Sequence, residues 1–159
     1  YYNIKMFKKT FILFFFFFIT SCGYDAIHSK KNLDIFNFSI TKLDFSGDRD
    51  VNLKIKERLN NYILNKKDKN FSLSISSTAK KTILVKNTSG DPTSFESKII
   101  VNVKVLMENK FENNLQIIES FNYNNNSNKF DLKKYEKEIR NSLAETVTDK
   151  LIFKLSSIQ

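Results

Sequence analysis

The chain has 159 residues and a formal charge of +9, from 26 basic and 17 acidic side chains, a size suited to one domain. A single cysteine, a single histidine and three glycines exclude a disulfide framework, a zinc site of nitrogen and sulfur ligands and a glycine-rich phosphate loop. An apolar fraction of 41% with 27% charged residues is that of a folding chain rather than a disordered one.

Met6-Phe7-Lys8-Lys9 forms a basic head, Phe11 to Ile19 an uninterrupted apolar run, and Ile19-Thr20-Ser21-Cys22 a close of small residues before the cysteine. That order is the order of a secretory signal peptide. The run is too short to span a bilayer, which takes ~20 apolar residues. Residues 1–21 therefore read as a signal starting at Met6. The tetrapeptide 19–22 resembles the bacterial lipobox, which implies cleavage before Cys22 and its acylation. Two acyl chains already anchor a protein stably, at ~0.8 kcal/mol per buried methylene. Gly23 stands where a retention signal for the inner membrane has aspartate, so the expected location is the outer membrane, lipid-anchored on the periplasmic side. Residues 22–32 read as the lipidated tether and 33–159 as a single domain. Losing Lys5, Lys8 and Lys9 with the signal leaves a charge of +6.

From Leu33 to Phe45, Phe36, Phe38 and Ile40 alternate with Asn37, Ser39 and Thr41, a first strand. After the turn at Ser46-Gly47, Val51, Ile55, Leu59, Tyr62 and Ile63 recur at helical spacing. Asp48 or Asp50 is placed to cap that helix, and Lys66, Lys67 and Lys69 sit beyond its far end. Phe71, Leu73 and Ile75 alternate with serines as a second strand. The apolar run Thr82 to Val85 is either another strand or a continuation beyond a bulge. Ser89-Gly90-Asp91-Pro92 is a turn. Phe95, Ile99, Val101, Val103, Val105 and Met107 share one face of a long strand. Leu115, Ile117, Phe121 and Tyr123 mark the next, joined through a hairpin at Glu108 to Asn114. An Asn-rich loop follows over Asn122 to Asn128. Asp131 is placed to cap a closing helix whose stripe is Leu132, Tyr135, Ile139, Leu143, Val147, Leu151 and Leu155. The fold class is α+β, in the order β-α-β-β-β-α: two helices on one face of a four-stranded, possibly five-stranded, mixed or antiparallel sheet.

Catalytic chemistry is not visible. His28 lies in the tether without a placed partner, so neither a Cys–His pair nor a Ser–His–Asp triad can be assembled. No enzyme, metal or cofactor is expected. Asp48 and Asp50 are caps rather than paired catalytic carboxylates. Only Arg49, Arg58 and Arg140 are arginine, which argues against nucleic acid, whose phosphates and bases favour that side chain. A basic domain at the envelope instead suits anionic lipid. Lys80, Lys81 and Lys86, beside small hydroxyl residues, are the candidate ligand-binding cations. The alternative for them is a charged edge that blocks unwanted strand pairing.

Cys22-Gly23-Tyr24 after the lipobox, Arg58-Leu59 on the first helix, the strand Glu96 to Val105 after a polar loop, and the closing Leu151-Ile152-Phe153-Lys154-Leu155-Ser156-Ser157-Ile158 stand in a telling order. Together they resemble the LptE (RlpB) family of lipopolysaccharide-assembly lipoproteins. The resemblance spans residues 19–158. It implies a lipoprotein that plugs the LptD β-barrel of the outer membrane and binds lipopolysaccharide during its insertion into the outer leaflet. The alternatives are a structural lipoprotein of general outer-membrane barrel assembly without a lipid ligand, and a periplasmic lipoprotein that binds peptide at a sheet edge.

Overall fold

In chain order, β1 (Phe38–Gly47) is followed by α1 (Arg49–Leu59), which closes in a 3-10 turn at Asn60–Tyr62. Then come β2 (Lys69–Lys86), β3 (Pro92–Met107), β4 (Phe111–Asn124) and α2 (Lys129–Ser156). The computed structural model describes residues 36–63, 67–107 and 111–158. The expected signal over residues 1–21, the expected tether over 22–32, and with them Cys22 and His28, lie outside the described residues.

The expected α+β order holds, with four strands. Thr82 to Val85 is no separate strand: it continues β2 through register irregularities on either side of Val85. The sheet runs β1-β2-β3-β4. β1 and β2 are parallel, as a helical crossover through α1 requires, and the remaining pairs are antiparallel hairpins. Inward residues of all four strands form one core with Val51, Ile55 and Leu59 of α1 and with the stripe of α2, so both helices cover the same face.

β1 departs from simple alternation. Phe38 and Ile40 face the core, the register shifts between Ile40 and Lys42, and Leu43 and Phe45 then align with Leu73 and Ile75. A bulge at Thr41 accounts for this, because the extra residue turns Leu43 and Phe45 back to the face that uninterrupted alternation would deny them.

At the start of α1, Asp48 Oδ1 accepts the Val51 N–H at 3.0 Å, as its position led us to expect. Arg58 near its end pairs with Asp149, fastening α1 to α2. Lys69 serves the other helix: its Nζ donates to the Ile158 carbonyl at 2.5 Å. Asp131 is not the cap of α2. Asn128 is, accepting from Phe130 N–H and Asp131 N–H. The helix starts earlier than expected because an asparagine in the preceding turn can satisfy those amides, leaving Asp131 to complement the positive helix end from the first turn. The Asn-rich loop also shortens, since β4 runs on to Asn124, paired with Ser94. Leu132, Ile139, Leu143, Val147, Leu151 and Leu155 are buried as expected, whereas Tyr135 is exposed at the rim.

Candidate functional site

β1 ends at Gly47, opposite Ser77, but β2 continues to Lys86 with β3 beside it. The candidate lysines lie on this projecting ribbon. Alternation separates the first two, because neighbouring residues of a strand point to opposite faces.

Lys81 turns to the helix side. Its Nζ lies 2.5 Å from Glu136 Oε1 on α2 and 4.0 Å from the centroid of the Phe95 ring. The same Glu136 oxygen accepts the Tyr123 hydroxyl at 2.9 Å. Tyr123 in turn packs against Phe95 at 5.5 Å and meets Tyr135 edge-on at 6.1 Å. Burial, then the hydrogen bond to Glu136 and its negative charge, hold the Tyr123 hydroxyl well above its ordinary value of 10.0, against an opposing pull from Arg140. The folded chain therefore keeps a proton that the unfolded chain loses, and stability falls as pH rises through about 10. Tyr123→Phe is expected to make unfolding less steeply dependent on pH between about 9.5 and 11, with the smaller contribution of buried Tyr62 remaining. An unchanged slope would show that other groups set it.

Lys80 turns to the open face. It stands in register with Lys98 of β3, whose Nζ reaches Glu96 at 3.0 Å, and through Lys98 with Ser120 of β4. Ser74, Ser76 and Thr78 precede it along β2, and Asn102 accepts from Gln116 Nε2 at 2.8 Å in the neighbouring rows. Neither helix covers this face, where hydroxyls, amides and cations are interrupted by Ile100 and the exposed Ile118 in the row next to Lys98 and Ser120. Lys86 sits opposite Pro92, roughly 20 Å from Lys80 at ~3.3 Å per residue.

The three lysines are thus not one cluster. Lys80 joins Lys98 on the open face, Lys81 belongs to an aromatic and carboxylate group beneath α2, and Lys86 stands alone near the turn. Lys98 escaped the sequence reading, although folding the hairpin about Ser89 brings it opposite Lys80. The separation has a consequence for stability. Lys81→Glu is expected to cost about 1–3 kcal/mol, by setting a second carboxylate against Glu136 and losing the ring contact. Lys80→Glu should stay within about 0.5 kcal/mol. Equal melting temperatures for the two variants would refute the division.

Residues 36–158 contain neither histidine nor cysteine, and among the described residues no group of acidic side chains is arranged to hold a metal ion. The open face can bind anions and hydrogen-bonding groups.

No family model and no curated protein matches the chain. Solved structures do. The rare lipoprotein B of Shewanella oneidensis superposes with a TM-score of 0.52 at 15% identity, over 71% of this chain and 95% of that one. A minor lipoprotein from Acinetobacter baumannii gives 0.54 at 12%, over 74% and 91%. Lipoprotein B of Nitrosomonas europaea gives 0.53 at 11%, over 77% and 86%. The chain has the fold of the rare lipoprotein B structures.

Proposed function

We propose that this chain is a lipid-anchored outer-membrane lipoprotein of lipopolysaccharide assembly, that it sits within the LptD β-barrel from the periplasmic side, and that it binds lipopolysaccharide there. The observation that carries the reading is the coincidence of a tetrapeptide resembling a lipobox at residues 19–22 with the rare lipoprotein B fold. The uncovered sheet face supports it. Lys80, Lys98 and the hydroxyl rows around them offer charge and donors to phosphates and sugars, and Lys86 extends that surface toward the turn. Lys81 acts indirectly, by fixing the ribbon to α2. Lysine ammonium groups bind phosphate as point charges, so the contact is salt-sensitive and loosely oriented.

The test has three readouts. Mass spectrometry of membrane-extracted protein should show loss of residues through Ser21 and acylation of Cys22. Co-purification should yield one dominant large barrel; a multi-protein barrel-folding machine in its place would make this a general assembly lipoprotein. Lys80→Glu with Lys86→Glu should weaken lipopolysaccharide binding about tenfold at low salt, with a smaller effect at high salt. Unchanged affinity in a folded variant would remove the ligand role from this ribbon.

A further inference from the structure

We propose that the free edge of β2, from Thr78 to Lys86, is a strand-addition site for an extended segment of a partner protein, apolar at its centre and acidic at its ends. This goes beyond the lipopolysaccharide reading and does not depend on it, because the exposed apolar triplet and the free strand edge carry it, although Lys80 and Lys86 are shared by the two.

Past the Gly47–Ser77 pair, no strand among the described residues accompanies β2 on its β1 side. The edge left there is roughly 30 Å long at ~3.3 Å per residue. At its centre Ile83, Leu84 and Val85 are 46%, 46% and 54% exposed. Three consecutive exposed apolar residues are a fault in a folded surface unless they are used. On a strand with unpaired amides and carbonyls they form a template, where the backbone supplies affinity and alternate side chains supply selectivity.

Charge selects the occupant. Lys80 and Lys81 precede the apolar triplet and Lys86 follows it; of these, Lys81 is already matched by Glu136. Pairing two copies along this edge would bring the lysines of both onto one narrow ribbon, and like charges across strands repel. A partner with carboxylates at each end of a short apolar stretch matches the edge instead. Beyond the triplet, the ribbon closes in Asn87, Thr88, Ser89, Gly90 and Asp91, all exposed and polar. An end of that kind is not built to enter a bilayer, which favours a protein partner over a lipid surface.

The experiment titrates the full chain in detergent with a synthetic peptide of about nine residues, valine and threonine alternating between paired aspartates, and follows amide hydrogen exchange. Exchange at those amides from Thr78 to Val85 that face the free edge rather than β3 should slow at least about tenfold at saturation, with affinity falling several-fold between low and high salt. Two versions of the peptide, N-methylated on alternate residues, separate strand addition from side-chain contact. The one that blocks the inward N–H groups should lose binding about tenfold and the other should not. Ile83→Asp with Leu84→Asp should abolish the protection without moving the melting temperature. Equal binding by both methylated peptides, or protection at another strand, would overturn the proposal. So would the absence of protection together with binding to anionic phospholipid vesicles that the double variant loses, which would assign the triplet to a membrane surface.

Discussion

Gly47→Ala is expected to destabilise the domain by roughly 3 kcal/mol or more. Gly47 has a φ of +92°, and a β-carbon there would stand 2.0 Å from the Ser77 carbonyl oxygen. Ser77 has little room to withdraw. Its carbonyl accepts the Asp48 N–H at 3.1 Å, and its hydroxyl is 3.1 Å from the Asp48 carbonyl and 2.7 Å from Asn52 Oδ1. These bonds hold the point where β1 turns into α1, so shifting Ser77 disturbs strand pairing and helix capping together. Gly90 provides the comparison. Its φ of +87° is similar, but a β-carbon would meet nothing within 4 Å, and Gly90→Ala should cost only about 1 kcal/mol of backbone strain. Denaturant unfolding of both variants measures the difference; equal losses would show that the contact with Ser77 relaxes freely.

Leu151→Ala is expected to cost about 2–5 kcal/mol. Leu151 is fully buried on α2, within the core shared with α1 and the sheet, so truncation leaves a cavity where two layers meet. For a domain whose total stability is ~5–15 kcal/mol that is a large share, and the melting temperature should fall by about 8–20 °C. Phe153, two residues on and mostly exposed, should tolerate alanine with a change of about 1 °C or less. Similar losses at both positions would mean that the outer side of α2 is covered as well.

Legibility in the sequence tracked the range of the interaction involved. Period-two alternation from Phe95 to Met107 and the stripe from Leu132 to Leu155 identified the buried faces, because each is a local pattern imposed by one partner layer. The bulge at Thr41 was not readable, since alternation alone says nothing of an extra residue accommodated by strand pairing. Asn128 was passed over for Asp131 because both are good caps and only the backbone path decides between them. At the candidate site, three lysines close in sequence suggested one cluster. Glu136, which claims Lys81, is 55 residues away, and Lys98 becomes a neighbour of Lys80 only through the hairpin register. The fold was legible from short-range repetition, and the site from residue types alone was not.

The one-sided sheet also acts as a proofreader of strand pairing. A slip of one position in β2 would exchange Phe71, Leu73 and Ile75 in the core for Ser72, Ser74 and Ser76. Exposing three large apolar side chains costs roughly 1.5–3 kcal/mol each, comparable with the whole stability of a domain. The projecting half of β2 buries no such row of side chains, since Lys80 to Lys86 are all exposed, and a slip there forfeits chiefly the contacts of Lys81 with Glu136 and Phe95. The register irregularities beside Val85 fall in that half, and the remaining one, at Thr41, lies on an edge strand. Errors of alignment are thus punished at the core end of the ribbon and tolerated at the other.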